Sequence, residues 1–363
     1  MTKVLLVYHH FPTYRKAVLQ EICRSDLLDV TLASDVVVQG RHLSVLGEDQ
    51  LEDISGSFYK LSNLSIKGHV FWQSGLIGHL RKNRYDVVIL LGDYKILTYY
   101  LCLIICRVLG IKSLLWTHGL LNPDHNVIKK IVRSTFYRLS DGLLLYGNRA
   151  RKLLRDTLGR DFLLYVIGNS VDYDTISKFV NIEFEARDPR KLVYIGRINA
   201  DKKLDLLFKA MQETKHEVTL EVIGDGSAVA TLRALADTLD RCTVTFYGEM
   251  HCEKSISQVM NSSSVAVVPG DIGLSAIHSL SYGLPVVTHD RFDLHKPEVE
   301  ALIESDAGHH YKYDDVTDLA RAIDSALENA NEKRLTCVRT IEKSFTPQSQ
   351  LVRIEEAVSR LLN

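Results

Sequence analysis

Short apolar runs alternate with longer segments of helical periodicity along most of the chain. In the first half, the apolar runs predict buried strands at residues 3–8, 30–33, 87–91, 113–116, 142–146 and 162–166. The segments between them predict helices at residues 15–24, 71–82, 95–109, 127–138 and 148–158. Because strands that alternate with helices pair in parallel, this half is predicted to form a parallel sheet covered on both faces.

The alternation starts again after residue 190. The pattern predicts strands at residues 191–195, 218–223, 244–247, 265–268 and 285–288, and helices at 204–212, 231–240, 254–261, 274–282, 315–330 and 348–362. We therefore expect an α/β protein of two doubly wound, Rossmann-like domains that face each other across a cleft. The expected bounds are 1–172 for the amino-terminal domain, 173–190 for a linker, 191–345 for the second domain and 346–363 for a helix that packs back toward the first.

Composition narrows the class of protein. The 363 residues are 46% hydrophobic with a formal net charge of −1, which excludes a disordered chain and a general nucleic-acid binder. The amino terminus lacks the pattern of a secretory signal, and the six cysteines include no CxxC pair, so we expect a cytoplasmic protein without a metal site. The most apolar stretch, residues 96–106, is shorter than the about 20 residues of a membrane span.

The near-zero net charge hides an asymmetry between the two halves. Residues 1–180 hold 23 Lys and Arg against 16 Asp and Glu, a net charge of +7, whereas residues 181–363 have a net charge of −8. The basic residues cluster at positions 81–84, 129–133 and 149–152, and apolar side chains accompany the second cluster: Ile128, Ile131, Val132 and Phe136. Such clusters fit either solvated helix faces or a face that contacts anionic lipid.

The first candidate binding segment covers residues 194–207. It reads as a strand, a glycine, a cation at the strand end, a loop with a second cation and the start of a helix. A guanidinium contacts oxyanions with two N–H groups and an ammonium adds a point charge, so Arg197 and Lys202 fit a diphosphate site. They fit equally well as two surface cations beside the neighbouring aspartates.

The second candidate segment covers residues 269–287. A predicted strand ends at Pro269, a glycine-containing turn follows, and a helix begins near Gly273. The first N–H groups of that helix, up to Ser275, have no partner within the helix and therefore favour an anion. His278 lies about one turn further, where it either reaches the same ligand or packs as an ordinary helical histidine.

These segments and the turns between them resemble the retaining glycosyltransferases of family 4, which have the GT-B fold. The match covers residues 190–300 and consists of Gly196-Arg197 with Lys202 and Asp205, followed by residues 222–226, 244–248 and 283–287. The resemblance implies transfer of a sugar from a nucleotide sugar to an acceptor, with retention of configuration and without a metal or other cofactor. We accordingly expect an enzyme of the bacterial polysaccharide type.

The resemblance also assigns roles to residues. Arg197 and Lys202 correspond to the pair that holds the donor diphosphate, and His118, in Trp116-Thr117-His118-Gly119, corresponds to a histidine that contacts the donor sugar. These three are the candidate catalytic residues, although His118 also fits a simple turn cap. The candidate donor-binding residues are Gly196, Gly224, Gly248, Glu249, Gly273, Leu274, Ser275 and His278.

One feature of the family is missing. Its members usually carry two glutamates eight positions apart, and the corresponding positions here are Gly270 and His278. Asp271 is one place out of register. A histidine can donate or accept a hydrogen bond with the ribose, whereas the first glutamate has no counterpart.

Candidate acceptor contacts follow the predicted strands of the first half. Tyr14 and Arg15 come after the first strand and are expected to overhang the cleft, although Pro12 also fits the first turn of a helix there. Asp93 occupies a similar strand-end position after Gly92.

The expected reaction moves a sugar from a UDP- or GDP-linked donor to a glycan or lipid-linked oligosaccharide. The expected partners are that donor, that acceptor and an anionic membrane surface on the cytoplasmic side, without nucleic acid. Two other classes stay open: a non-hydrolysing nucleotide-sugar epimerase, and a non-catalytic nucleotide-sugar binder, which the missing glutamate favours. Acceptor-dependent nucleotide release, acceptor-free isomerisation and binding without turnover distinguish the three.

Overall fold

A computed structural model describes residues 1–38, 44–67, 70–122, 126–159, 161–181 and 187–363. Contacts divide the chain into a first unit of residues 1–172 and 347–363 and a second unit of residues 173–346. The segment expected to be a linker belongs to the second unit, and its residues 182–186 lie outside the described part.

The first unit is built on a parallel sheet. Its strands are β1 (Thr2–Val7), β2 (Leu28–Ser34), β3 (Phe58–Lys60), β4 (Ser62–Lys67), β5 (Val70–Ser74), β6 (Val87–Leu91), β7 (Lys112–Thr117), β8 (Gly142–Leu145) and β9 (Leu163–Val166). Seven of them pair in the order β3-β2-β1-β6-β7-β8-β9, with every pair parallel. The sheet therefore grows in both directions from β1 and β6, as in a doubly wound fold.

Helices cover this sheet on both faces. They are α1 (Lys16–Cys23), α2 (Glu48–Ser55), α3 (Leu76–Lys82), α4 (Leu97–Leu109), α5 (Val127–Leu139) and α6 (Asn148–Leu158). Alternate side chains of the strands enter two separate buried clusters: Leu6 of β1 packs on one side with Leu19 of α1, and Leu5 packs on the other with Tyr99 of α4. A strand buried on both faces explains why these runs are continuously apolar.

The predicted helix at residues 71–82 is wrong in its first half. Residues Val70–Ser74 form β5, which pairs antiparallel with β4 in a separate hairpin, and only Leu76–Lys82 is helical. Val70, Phe71 and Trp72 have side chains that favour strands. Gly75 adopts a left-handed φ of 94° and starts the helix after the strand.

The second unit repeats the doubly wound plan. Its strands are β10 (Lys191–Ile195), β11 (Thr219–Ile223), β12 (Thr243–Gly248), β13 (Val265–Val267), β14 (Val286–His289) and β15 (Gly308–Tyr311). They pair in parallel in the order β12-β11-β10-β13-β14-β15. The helices are α7 (Tyr173–Ile176), α8 (Leu204–Glu213), α9 (Val229–Ala236), α10 (Glu253–Ser262), α11 (Leu274–Ser281), α12 (Glu300–Glu304) and α13 (Val316–Ser344).

The last helix, α14 (Pro347–Leu362), returns to the first unit. Gln350 is buried there, where its Nε2 donates to the Gly168 carbonyl and its Oε1 accepts from Ser170 Oγ at 2.7 Å. Ser25, after α1, donates to Glu355 at 2.5 Å. The end of the chain thus closes one face of the amino-terminal sheet.

Candidate functional site

Each sheet has one topological switch point, where the strand order reverses and ligands of doubly wound folds bind. In the second unit it lies between β10 and β13, and in the first unit between β1 and β6. The candidate residues predicted from the sequence follow these strands or their neighbours.

Three candidate glycines lie side by side at the carboxyl ends of neighbouring strands. Gly196 N–H donates to the Ile223 carbonyl at 3.0 Å, and Gly224 N–H donates to the Gly248 carbonyl at 2.8 Å. At Gly224, where φ is 143°, a Cβ atom would approach the Gly196 carbonyl oxygen to 1.8 Å. Only glycine fits there, and the strand ends therefore present backbone rather than side chains.

Arg197 follows this row of glycines. Its side chain is exposed, and among the described residues it has no hydrogen-bond or ion-pair partner. The loop itself is fixed, because Tyr194 Oη donates to the Arg197 carbonyl at 2.5 Å. A guanidinium on a fixed loop with all its donors available is suited to bidentate contact with a phosphate.

Lys202 reaches the turn that follows β13. Its Nζ donates to the Asp271 carbonyl at 3.0 Å, pairs with the Asp271 carboxylate and lies 3.3 Å from Asp201 Oδ2. Burial opposes ionisation of Asp271, but the hydrogen bond and charge of Lys202 outweigh it and hold the pKa of that carboxyl below its usual value. The contacts with Asp271 therefore position the Lys202 ammonium at the switch point, with a carboxylate beside it.

The backbone leaves no room for a side chain at Gly270. A Cβ atom there would lie 2.2 Å from the Asp201 carbonyl oxygen and 2.6 Å from Lys202 Cα. A glutamate at this position would displace the loop that carries Lys202. The acidic side chain of this turn is instead that of Asp271, which points at Lys202.

The turn leads into α11, whose first residues are Leu274 and Ser275. Gly273 is the N-cap, and the preceding Ile272 is held on both sides: its N–H donates to His295 Nδ1 at 3.1 Å and its carbonyl accepts from Lys296 N–H at 2.9 Å. The free N–H groups of this helix end are thus fixed beside the switch point.

His278 has a carboxylate partner that the sequence analysis did not assign to the site. Its Nε2 lies 2.9 Å from Oε1 of Glu253, the first residue of α10, and the same oxygen accepts from Tyr282 Oη at 2.5 Å. Burial of Glu253 opposes ionisation, but the hydrogen bond from His278 outweighs it and lowers the pKa of the carboxyl. The Glu253 carboxylate therefore fixes the orientation of the His278 ring.

Glu249 stands apart from these groups. Its side chain is exposed at the end of the edge strand β12, with Oε1 3.7 Å from His251 Nε2. The second unit thus brings Gly196, Gly224, Lys202 and Asp271 to the carboxyl ends of β10, β11 and β13, whereas Glu249 follows the edge strand β12.

The first unit has a cavity of about 360 Å³ at its own switch point. The residues that line it follow β1, β6, β7 and β8, and they include His118, Asp93, Tyr14 and Arg15. The four candidate residues predicted in this half therefore share one cavity. Its volume lies within the range of small-molecule sites.

Arg15 differs from the sequence expectation. It does not overhang the site with Tyr14, which is 52% exposed, but is itself only 6% exposed. The short 3₁₀ turn Thr13–Arg15 directs it inward, where the guanidinium donates to Tyr146 Oη and lies over the Trp116 ring.

His118 and Asp93 are more accessible. The His118 ring packs against Tyr146 with the ring centroids 4.5 Å apart. Asp93 Oδ1 accepts from Lys95 N–H at 3.0 Å, which fixes the turn between β6 and α4.

Two other kinds of feature are absent from the described residues. No group of three or more His, Cys, Asp or Glu side chains there is arranged to hold a metal ion. Within the same residues, no helix is long and apolar enough to cross a membrane.

Comparison with known proteins identifies the fold. Residues 175–344 match the model of the family Glycosyl transferases group 1, and no curated protein matches the chain. HepE of Anabaena in complex with UDP superposes with a TM-score of 0.73 at 17% identity, covering 99% of this chain and 100% of that one. A glycosyltransferase from Rickettsia africae gives 0.72 at 15% identity, covering 100% and 99%.

A third structure, the apo form of the lipopolysaccharide outer core galactosyltransferase WaaB, gives a TM-score of 0.70 at 16% identity and 99% coverage of both chains. At such identities the likeness establishes the fold. The prediction of a GT-B protein with two Rossmann-like domains is therefore confirmed. Membership of family 4 stays a prediction.

Proposed function

We propose that this protein is a glycosyltransferase that takes a sugar from a nucleoside diphosphate sugar, UDP- or GDP-linked, and transfers it with retention to a glycan or lipid-linked acceptor in polysaccharide biosynthesis. In this proposal the second unit binds the donor and the first unit binds the acceptor. The matched family model, which lies in the second unit, supports the assignment of the donor.

The observation that carries the proposal is the arrangement at the switch point between β10 and β13. A row of glycines presents backbone at the strand ends, Arg197 presents a guanidinium with no partner among the described residues, and Lys202 pairs with Asp271 in the turn that leads into α11. These positive groups would neutralise the diphosphate and stabilise the charge that develops on it when the sugar leaves. His118 of the first unit is the proposed contact to the donor sugar, and no metal or other cofactor is required.

We further propose that the first unit rests on an anionic, cytoplasmic membrane surface, which would give access to a lipid-linked acceptor. Helices α4 and α5 lie together, since the Tyr100 and Phe136 rings are 4.8 Å apart. Neither helix contains an acidic residue, and α5 contains four basic ones. Of the 21 exposed large hydrophobic side chains among the described residues, 11 lie on these helices or the neighbouring hairpin: Leu64, Ile66, Leu97, Leu101, Ile104, Val108, Leu109, Val127, Ile128, Ile131 and Val132.

The experiment that tests the reaction incubates the protein with UDP- and GDP-sugars, with and without a lipid-linked glycan fraction, and measures nucleoside diphosphate release. We expect release that depends on the acceptor. Isomerised nucleotide sugar formed without acceptor would show an epimerase instead. Binding of a nucleotide sugar without turnover in either condition would show a non-catalytic binder.

A further inference from the structure

The cavity of the first unit contains a buried cation with an unusual environment. Four aromatic rings surround the Arg15 guanidinium, with its carbon 4.8 to 5.8 Å from their centroids: Trp116, Tyr8, Tyr146 and Tyr14. One N–H group, on Nη2, donates to Tyr146 Oη. The rings stabilise the charge but supply no negative counterpart.

No carboxylate among the described residues forms an ion pair with Arg15. Asp93 is the acidic residue that lines the cavity, and its Oδ1 is bound to the Lys95 N–H. Removing an ion from water is costly, and cation–π contacts offset part of that cost. Buried charged side chains are normally paired with an opposite charge, and Arg15 has no such partner among the described residues.

Three residues that line the cavity each carry a buried polar atom without a hydrogen-bond partner in the described part of the chain. These atoms are Nη1 of Arg15, Oη of Tyr8 and Nε1 of Trp116, whose residues are 6%, 3% and 1% exposed. The arginine and tryptophan nitrogens are donors only, and a phenol can donate. Together they call for a ligand with several acceptor oxygens.

The rest of the wall has the same electrostatic character. A second arginine, Arg133, lines the cavity with its guanidinium 5.2 Å from the centroid of the Tyr94 ring. Against these groups stands the single carboxylate of Asp93. A neutral sugar would leave the charge of Arg15 uncompensated, whereas an oxyanion with several acceptor atoms satisfies both requirements.

We propose that this cavity binds the oxyanion of an acidic acceptor, a phosphate or a carboxylate, through Arg15, Tyr8 and Trp116. This inference rests on the proposed function, because it treats the first unit as the acceptor-binding unit. It narrows the acceptor from glycans in general to those with an anionic group close to the hydroxyl that receives the sugar. Tyr146 is a positioning residue, since it holds the guanidinium by its hydroxyl.

The chain offers a fluorescent reporter at the site. It contains two tryptophans, Trp72 on β5 and Trp116 in the cavity wall. In a Trp72→Phe variant of the full chain, tryptophan fluorescence comes from Trp116 alone, whose ring centroid lies 4.8 Å from the guanidinium carbon of Arg15. Titration with pyrophosphate, with glucuronate and with neutral glucose then reports binding at this cavity without any turnover.

We expect a saturable change in Trp116 fluorescence with an oxyanion and none with glucose. Response to pyrophosphate alone identifies a phosphate group, and response to glucuronate alone identifies a carboxylate. In the Trp72→Phe background, Arg15→Gln should weaken binding by about tenfold to hundredfold, as expected for loss of a charged hydrogen bond. Arg15→Lys, which keeps the charge, should weaken it less and serves if the glutamine variant does not fold.

The matched control is Arg24→Gln. Arg24 is exposed and follows helix α1, whereas Arg15 precedes that helix. This variant should bind as the parent does. Lys202→Ala should also keep the response, which separates this site from the proposed donor site. The inference would be overturned if neither oxyanion gave a saturable response. It would also be overturned if both Arg15 variants bound the oxyanion as tightly as the Trp72→Phe parent. The proposed transfer reaction would be unaffected by that result, since it is measured separately by nucleotide release.

Discussion

At the residue scale, Glu253 supplies a negatively charged partner for the half-buried imidazole of His278 in the second unit. It accepts hydrogen bonds from His278 and Tyr282, which lie on α11 and directly after it. In the sequence, Glu253 only precedes the helix predicted at residues 254–261. Its relation to His278 depends on how α10 packs, 25 residues away in the chain, and could not be predicted from local pattern.

We expect Glu253→Gln to lower the free energy of unfolding of the second unit by about 1.5–3 kcal/mol at neutral pH, the usual contribution of a charged hydrogen bond. Because folding lowers the pKa of Glu253, the carboxylate stabilises the folded state at pH values above its ordinary pKa. This stabilisation is lost as the pH falls through the lower pKa of the folded state. Urea unfolding at about pH 7 and about pH 4 tests this.

The exposed Glu249→Gln, on the loop before α10, is the matched control and should not change unfolding. A difference between wild type and Glu253→Gln that is equally large at both pH values would argue against a role for the charge.

Gly270 is a second position whose local contacts could not be predicted from the sequence. The sequence identified the missing glutamate, and the structure gives the reason: the loop that carries Lys202 occupies the space beside Gly270. The residue pattern located the segment correctly as a turn after a strand. It gave no indication that Asp271 meets Lys202.

At the scale of elements, the parallel sheets and most of their helices follow from hydrophobic pattern. The exceptions have physical causes. Strand β15, Gly308-His309-His310-Tyr311, has no apolar run, because two of its side chains are histidines. The β4–β5 hairpin was missed because Phe71 and Trp72 also fit a helical pattern, and Gly75 decides where the helix starts.

Strands β14 and β15 and the segment after β14 contain four buried or half-buried histidines. His289 stacks on His295 with the ring centroids 3.9 Å apart. Burial, followed by the positive charge that His295 and Lys203 would add, lowers the pKa of His289 to about 3. Burial also lowers the pKa of His295, His309 and His310.

We expect the second unit to lose stability as pH falls below the ordinary histidine pKa of about 6.5. The unfolded chain takes up protons there while the folded chain does not, so each such histidine costs up to about 1.4 kcal/mol per pH unit. His289→Asn keeps an acceptor for the Arg291 N–H and should make urea unfolding less dependent on pH between about 7.5 and about 5.5.

The exposed His216→Asn is the control, and its unfolding should follow that of the wild type. Equal pH dependence in the wild type and in His289→Asn would contradict this account of the buried histidines.

At the scale of the whole molecule, the charge is divided between the halves of the chain, and the exposed apolar side chains are concentrated in the first unit. The sequence indicated the basic cluster on α5. It did not indicate the stripe formed by Leu97, Leu101, Ile104 and Val108 on α4, because a uniformly apolar helix predicts burial on all sides.

We expect the protein to float with vesicles of anionic phospholipid at low salt and less at high salt. Lys129→Gln with Lys130→Gln should lower the partition coefficient by about tenfold or more, at about 1 kcal/mol for each basic residue near the surface. Ile128→Ser with Ile131→Ser should lower it at both salt concentrations. Leu335 is an exposed leucine of the second unit, and Leu335→Ser should leave the partition coefficient unchanged. Absence of flotation at either salt concentration would contradict the membrane proposal.

The most direct test of the central claim is acceptor-dependent turnover of a nucleotide sugar by Arg197→Ala and Lys202→Ala. If these cations stabilise the departing diphosphate, each substitution should lower turnover by about 10²–10³-fold, the usual loss for such a group. Lys209→Ala, an exposed lysine on α8, should retain wild-type turnover. Turnover close to that of the wild type in both Arg197→Ala and Lys202→Ala would contradict the account.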